Sequence, residues 1–216
     1  MRWVLILCSL FPVRLGLYAA LEIVVLQAIV VTITRDGPWI LQEDGPVEWV
    51  HFGLMVGTGV IFLWNKREKD ACSSVLLFCS LVAFTASLRE LDQYSEVVLF
   101  RGSYKYPIAV IAVLALYCLW KDRRRLRNDI AAFIKKPAFL LLSFGFFQAA
   151  VVAQILGQAE VWHALIETES ARSAKRVFEE TLETIGYLTV FFGAIEASPG
   201  NATKITETKI FRWANR

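Results

Sequence analysis

Six stretches of the chain are almost continuously apolar. They cover approximately residues 15 to 34, 47 to 64, 71 to 88, 105 to 120, 137 to 157 and 182 to 197. A bilayer core about 30 Å thick takes about 20 helical residues to cross, so the fourth and sixth stretches require local thinning or flanking side chains that reach the interface. The pattern predicts an all-α, polytopic membrane bundle of about six transmembrane helices.

The segments between these stretches carry neither an internal repeat nor a Pro- or Gly-rich linker. We therefore expect one transmembrane helical domain over residues 1 to 197 and a polar cytoplasmic tail over residues 198 to 216. The apolar segment from Trp3 to Val13 is too short to span, and Arg14 separates it from the first stretch. It is predicted as an interfacial lead-in, with a signal peptide cleaved near Ala20 as the alternative.

Composition supports a membrane protein. Of the 216 residues, 56 % are hydrophobic and 20 % are charged, and one small soluble core could not bury six such stretches. The four cysteines lie in apolar surroundings without a C-x-x-C pair, which excludes a disulfide framework and a thiolate zinc site. The net charge of +3 is a sum over segregated charges, so nucleic acid is not an expected partner.

The distribution of Lys and Arg predicts the orientation. If the N-terminus is cytoplasmic, 16 of the 23 cationic residues fall on the cytoplasmic side and 7 on the outer side. The positive-inside rule therefore places both termini in the cytoplasm of a multi-pass protein, with the bacterial inner membrane as its location. The run K-D-R-R-R-L-R at residues 121 to 127 is interpreted as a topology anchor, and an anionic-lipid or nucleic-acid patch is the alternative.

Acidic residues show the opposite asymmetry, which the positive-inside rule does not require. Both histidines, His51 and His163, also fall on the predicted outer face. Thirteen of the twenty acidic residues lie there or at the adjoining helix ends: Asp36, Glu43, Asp44, Glu48, Glu90, Asp92, Glu96, Glu160, Glu167, Glu169, Glu179, Glu180 and Glu183. Their clustering calls for an explanation in terms of function or internal pairing.

Three motifs supply the candidate catalytic residues. In E-D-G-P-V-E-W-V-H, Glu48 and His51 are three apart and share one helix face, although dipole stabilisation or capping would also account for them. In S-L-R-E-L-D, Glu90 and Asp92 lie beside Arg89 at membrane depth, as a site or as an internal clamp. In F-E-E-T-L-E-T-I-G-Y, Glu183 lies a turn deeper than the acids that the helix dipole explains.

Three further residues have predicted roles. Arg89 and His163 are candidate substrate-binding residues, since Arg89 could hold an anionic headgroup and His163 follows Trp162 in a loop near the site. Glu22 is the one carboxylate predicted deep in the bilayer. It is either a proton-relay residue or a protonated group bonded to a neighbouring helix.

The motifs E-D-G-x-x-E-W, R-E-hydrophobic-D and E-E-x-L-E-x-x-G resemble those of a group of multispanning bacterial inner-membrane proteins of uncharacterised function. Some 20 positions carry this resemblance, and Gln93 and Tyr94 stand where that group often has an aromatic residue and a histidine. A looser similarity is to the alkaline-ceramidase-like superfamily of intramembrane metal hydrolases. That superfamily uses three zinc-bound histidines, whereas this chain has two histidines and no H-x-x-x-H.

Two functions follow as hypotheses. The first is an outer-leaflet enzyme whose carboxylates and histidine hold a divalent cation, with magnesium, calcium or manganese favoured by oxygen-rich ligation, and which hydrolyses or binds a lipid or lipid-linked substrate. The second is a non-enzymatic subunit of a larger membrane complex, or a carrier component that moves protons through Glu22 and Glu183. The lipid bilayer is the common partner in both.

The predicted orientation can be tested by cysteine labelling in intact cells. In a background without native cysteines, Asn128→Cys should resist a membrane-impermeant thiol reagent, while Gln42→Cys should react, because the cation count puts these positions on opposite sides. Labelling of Asn128→Cys with protection of Gln42→Cys would invert the topology.

Overall fold

This computed structural model describes residues 10–41, 45–67, 72–166 and 168–198, and within these ranges the protein consists of helices joined by short turns. Each of the six apolar stretches forms helix. The α-helices are α1 (Phe11–Asp36), α2 (Pro46–Asn65), α3 (Ser73–Arg89), α4 (Asp92–Val98), α5 (Lys105–Lys121), α6 (Arg123–Phe133), α7 (Pro137–Phe147), α8 (Ala153–Leu156), α9 (Ala159–Leu165) and α10 (Thr168–Glu196). A π-helical segment, Gln148–Val152, joins α7 to α8.

Three helical segments are long and apolar enough to cross a membrane: Phe11–Asp36, Pro46–Asn65 and Pro137–Leu156. Their surfaces are mostly unburied within the bundle, as expected of helices that face lipid. The predicted helical bundle is therefore confirmed, and the described residues include helices that could cross a membrane. Of the lead-in predicted from Trp3 to Val13, the described residues 11 to 13 belong to α1, which runs on through Arg14 without a break; residues 1 to 9 and the predicted tail beyond Ser198 lie outside the described residues.

Proline and glycine set several helix boundaries. Pro46 and Pro137 open α2 and α7 at positions where a missing N–H breaks no hydrogen bond. At the end of α1, Gly37 has φ +85° and donates its N–H to the carbonyl of Ile33. A left-handed backbone of this kind suits glycine, so the chain can turn sharply from α1 towards α2.

Helices α7 and α10 approach each other closely. A Cβ added to Gly145 would lie 2.6 Å from the carbonyl oxygen of Gly186, and one added to Gly186 would lie 2.8 Å from the backbone nitrogen of Ala149. Small residues allow this backbone contact, which is a common way for membrane helices to associate. It fixes the lateral position of α10, on which several candidate site residues lie.

Packing contacts show that the long helices alternate in direction. At one end, Phe62 of α2, Leu76 of α3, Phe133 of α6 and Ala194 of α10 form one cluster. Because the arginine-rich α6 belongs to this cluster, we call it the basic end. The start of α2, the end of α3 and the first half of α10 lie at the other end, which we call the acidic end. The two kinds of charge are thus segregated in space as well as in sequence.

An ion pair that the sequence analysis missed joins α1 to α10 at the basic end. Arg14 donates from Nε and from Nη2 to the two carboxylate oxygens of buried Glu196, at 2.6 and 2.8 Å. Tyr18 donates to the same carboxylate at 2.7 Å and stacks on Phe192 with ring centroids 4.3 Å apart. A bidentate guanidinium with a tyrosine compensates the burial of this carboxylate.

The glycine contact yields a stability prediction. Gly186→Ala should force α7 and α10 apart and lower the free energy of unfolding by about 1–3 kcal/mol, the usual effect of overpacking. Gly53→Ala is the matched control, since a Cβ there meets no atom within 4 Å and alanine favours helix. Thermal unfolding in detergent measures both. Equal melting of Gly186→Ala and the wild type would contradict the close packing.

Candidate functional site

A cavity of about 370 Å³ opens at the acidic end between α2, α3, α8 and α10. Its size is that of a small-ligand site, but its lining is charged or polar, which favours an ionic ligand over an apolar one. Five of the predicted site residues line it, and they come from three of the sequence motifs: Glu48, Arg89, Glu90, Asp92 and Glu183. The motifs therefore converge on one cavity.

His51 lies beneath this cavity and is completely buried. Its Nε2 is 2.7 Å from the hydroxyl of Thr184, and that hydroxyl donates its own proton to the backbone carbonyl of Glu180, at 2.7 Å. The Thr184 oxygen must then accept a hydrogen bond from the N–H at Nε2. In a neutral imidazole this leaves Nδ1 without a proton, as a hydrogen-bond acceptor. Nδ1 is buried and has no hydrogen-bond partner among the described residues.

Carboxylates surround this unpartnered nitrogen. Nδ1 lies 3.4 Å from Oε2 of Glu90 and 3.9 Å from Oε2 of Glu180. One ligand atom each from His51, Glu180 and Glu183 lies within 4.8 Å of the other two. Two ligands bound about 2.1 Å from one ion lie up to about 4.2 Å apart, so a small contraction would let all three bind a single cation. The competing arrangement is a doubly protonated His51 paired with Glu90.

Arg89, together with Tyr187 and Gln154, compensates the buried carboxylates of Glu90 and Glu183. Nη2 of Arg89 is 3.2 Å from Glu90, 3.4 Å from Glu183 and 3.1 Å from the hydroxyl of Tyr187. Tyr187 donates to Glu90 at 2.8 Å, and Gln154 donates to Glu183 at 2.8 Å. Arg89 thus contacts acids on both α3 and α10, as expected of an internal clamp.

Glu180 lies 3.9 Å from Nδ1 of His51, and neighbouring acids dominate its electrostatic surroundings. It precedes the predicted sixth span, and its pKa is raised to about 8, first by burial and then by the charges of Glu183, Glu48, Glu90 and Glu179. Burial and the neighbouring acids thus favour the protonated form of Glu180 when no cation is bound. A divalent cation could displace this proton and favour the ionised carboxylate.

Two of the predicted residues lie away from the cavity. His163 is exposed near the end of α9 and is not part of the cavity lining. Glu22 of α1 accepts a hydrogen bond of 2.7 Å from the hydroxyl of Thr189 on α10. Such a contact with a neighbouring helix is expected for a carboxyl group within an apolar span.

Four residues of the cluster were missing from the sequence-based candidates: Gln154, Glu180, Thr184 and Tyr187. Glu180, Thr184 and Tyr187 follow one another at spacings of four and three and share a helix face with Glu183. That spacing was a usable signal, but the sequence analysis explained Glu180 by the helix dipole. Gln154 had no local signal, because it approaches Glu183 through the packing of α8 on α10.

A second depression, of about 490 Å³, lies at the basic end. It is lined by the consecutive residues 120 to 125 at the corner between α5 and α6. These residues bring together no histidine or cluster of acids, so the converging side chains at the acidic end are the stronger candidate site.

No protein-family model, curated protein or solved structure matches this chain. The resemblances drawn from the motifs therefore stay hypotheses. The arrangement of side chains at the acidic end is therefore the basis for proposing a function.

Replacing Arg89 tests the clamp. Arg89→Ala leaves two buried carboxylates without their cation, so the free energy of unfolding should fall. Loss of an exposed ion pair costs ~1 kcal/mol and loss of one partner of a buried pair costs ~3–5 kcal/mol, and the effect here should lie between these values. An intermediate value is expected because the Arg89 side chain is 48 % exposed. Arg101→Ala, an exposed cation at a turn, should have little effect. A fully stable Arg89→Ala would show that Arg89 is free to bind a ligand.

Proposed function

We propose that this chain is a multi-pass protein of the bacterial inner membrane with six spans and both termini in the cytoplasm. The alternating helix directions and the excess of cations at the basic end support this topology. Helices α3 and α5, with 17 residues each, are about 26 Å long and could cross a locally thinned bilayer. The acidic end then faces the outside.

We further propose that the acidic end binds a divalent cation through His51, Glu180 and Glu183, with Glu90 beside them. The observation that carries this proposal is the buried Nδ1 of His51, which has no hydrogen-bond partner among the described residues and lies among carboxylates. Thr184 accepts a hydrogen bond from Nε2 and so fixes the tautomer of His51. Metal-bound histidines are commonly oriented by such an acceptor on the ring nitrogen that does not bind the metal. Three carboxylates, one Arg89 guanidinium and a divalent cation would together have no net charge.

The activity that this donor set best supports is hydrolysis of a lipid or lipid-linked ester. A bound divalent cation would make a water ligand more acidic and would polarise the ester. Glu48 and Asp92 line the cavity outside the donor set, where either could take the proton of the attacking water. The water oxygen bonds to the acyl or phosphoryl centre, the bond to the leaving oxygen breaks, and the carboxyl returns the proton to that oxygen.

The position of the cavity favours a lipid over a soluble substrate. Trp49 is half exposed beside Glu48 and packs edge-on against exposed Tyr94, with ring centroids 6.0 Å apart. Tryptophan and tyrosine concentrate at the level of lipid headgroups. A cavity bordered by such residues opens where a headgroup would reach it.

The competing proposal is a non-enzymatic subunit or a proton-coupled carrier component. It assigns proton transfer to Glu22 and Glu183, but the two carboxylates belong to separate contacts, one with Thr189 and the other with Arg89 and Gln154. A partner membrane subunit would in that case cover exposed helix faces. The cation site is favoured because it accounts for the orientation of His51.

Manganese binding to the purified protein tests the site. Mn²⁺ at about a hundredfold excess over its dissociation constant should stabilise the wild type by about 2.7 kcal/mol. Glu180→Gln should fold normally, since an amide resembles the protonated carboxyl, but it should lose most of this stabilisation. Glu160→Gln is the control, because Glu160 is exposed and outside the cavity.

Two outcomes would contradict the proposal. Identical melting of the wild type with Mn²⁺ and with chelator would exclude the cation site. Equal Mn²⁺ stabilisation of Glu180→Gln and the wild type would show that the ion binds at another place in the protein. A site that binds Mn²⁺ but hydrolyses no lipid ester would favour the non-enzymatic function.

A further inference from the structure

The arginine-rich helix α6 packs against the basic end through one face. Phe133 is buried in the cluster that joins α2, α3 and α10, and buried Asp129 accepts a hydrogen bond of 2.9 Å from the backbone N–H of Ser74 at the start of α3. Residues four apart lie on the same side of a helix, so these two contacts fix the rotation of α6 about its axis. The other sides of α6 are exposed.

One exposed side of α6 combines arginine with isoleucine. Spacings of four, three and four place four exposed residues along it: Arg123, Arg127, Ile130 and Ile134. The two isoleucines are 43 % and 50 % exposed and so do not belong to the packed core. A helix side with both cations and large apolar residues suits the boundary between lipid headgroups and acyl chains. The positive-inside rule accounts for the arginines but not for isoleucines in line with them.

The corner between α5 and α6 gathers further cations around the cavity of about 490 Å³. The cavity is lined by Trp120, Asp122 and four exposed cations, which we call the cationic corner: Lys121, Arg123, Arg124 and Arg125. Arg125 also lies 3.6 Å from Asp129, in a largely exposed pair. Four cations and one acid give this cavity an excess of positive charge, which favours an anionic ligand.

The start of α6 adds to this positive potential. Arg123, Arg124 and Arg125 lie in the first turn of α6, which contains no acidic residue, and the side chain of Asp122 makes no capping hydrogen bond. The helix dipole favours anions and disfavours cations at this end of a helix. The stability of α6 therefore does not explain the cationic corner, whereas a bound anion would interact favourably with both the arginines and the dipole.

Trp120 indicates the depth of the cavity in the membrane. Helix α5 ends at Lys121 and α6 begins at Arg123, so the first turn of α6 lies at the depth of the last turn of α5. Trp120 is 67 % exposed there, and tryptophan concentrates at the level of lipid headgroups. A soluble phosphate or a nucleic acid would leave Trp120 and the exposed isoleucines without a role, so a lipid fits this surface better.

We propose that the cationic corner binds the phosphate of an anionic glycerophospholipid in the leaflet at the basic end, which is the cytoplasmic leaflet in the proposed orientation. Arginine suits this role because its planar guanidinium can donate two parallel hydrogen bonds to phosphate oxygens. Trp120, Ile130 and Ile134 then contact the apolar region below the headgroups. This lipid site lies at the opposite end of the bundle from the proposed cation site, and it does not depend on cation binding.

The experiment compares lipid binding to full-length protein in detergent by native mass spectrometry. The probes are phosphatidylglycerol and phosphatidylcholine with identical acyl chains. The corner variant carries Arg123→Gln and Arg124→Gln, and it keeps five of the seven cations between residues 121 and 136. The control carries Lys66→Gln and Arg67→Gln, which remove the same charge just beyond the end of α2, at the basic end but outside the cavity.

The wild type and the control should bind phosphatidylglycerol about tenfold more tightly than phosphatidylcholine, because basic residues at a membrane surface attract anionic lipids. The corner variant should lose this preference. It should melt like the wild type and keep its Mn²⁺ stabilisation, since both substituted side chains are exposed. An unchanged preference in the corner variant, or an equal loss in the control, would overturn the assignment.

Two competitors distinguish a lipid from other phosphate compounds. Inorganic phosphate and a short DNA duplex are each added at physiological salt and at the phosphate concentration of the lipid. Neither should displace phosphatidylglycerol from the wild type. Displacement by inorganic phosphate would replace the lipid with a soluble phosphate compound, and displacement by the duplex would make the corner a nucleic-acid site. Either result would contradict the lipid site.

Failure of the proposed function has a different signature. A wild type that shows no Mn²⁺ stabilisation but prefers phosphatidylglycerol through the cationic corner would contradict the cation site and support the lipid site. A wild type that binds Mn²⁺ without preferring phosphatidylglycerol would contradict the lipid site alone.

Discussion

The arrangement of the acidic end depends on the compensation of charges that are buried there. Glu90 and Glu183 keep only 6 % and 7 % of their side-chain surface exposed, and His51 keeps none. An ionised carboxylate in such a place is costly unless it is paired and hydrogen-bonded. Arg89, Tyr187 and Gln154 supply this compensation for two carboxylates. They leave Glu180 and the Nδ1 of His51 without an equivalent partner, and these two groups define the proposed cation site.

Helix packing brings the compensating groups together. The contact of Gly145 with Gly186 lets α10 approach α7 closely, and one turn further Gln154 of α8 meets Glu183. At the opposite end, Arg14 and Glu196 hold α1 against α10. These contacts hold the middle and the C-terminal end of helix α10. The position of α10 matters for the site, because α10 carries Glu180, Glu183 and Thr184.

The sequence predicted the apolar helices because apolar length is a local property, but it did not predict that the last helix begins at Thr168 or that Ala159–Leu165 is helical. The first stretch was predicted over 15 to 34 and forms the helix Phe11–Asp36, and the second was predicted over 47 to 64 and forms Pro46–Asn65. The common depth of Glu48, Glu90, Asp92 and Glu183 was also accessible, since motif positions at helix ends fix depth, but their convergence on one cavity was not. Depth and helix order together limit where such residues can lie.

The side-chain partners could not be predicted in the same way. Whether Glu180 faces His51 depends on the rotation of α10 about its axis, and whether Arg14 meets Glu196 depends on which helices are neighbours. Both are set by the packing of small residues between helices, which the apolar pattern does not encode. His163 was predicted to bind substrate because it follows Trp162 near the predicted outer face, but it does not line the cavity.

The most direct test of the account is the nitrogen coordination of bound Mn²⁺, measured by electron spin echo envelope modulation. The chain has two histidines, and one of them, His163, is exposed and outside the cavity. The account predicts a histidine nitrogen modulation in the wild type that persists unchanged in His163→Gln. Absence of nitrogen modulation in the wild type, or its loss in His163→Gln, would contradict a cation site built on His51.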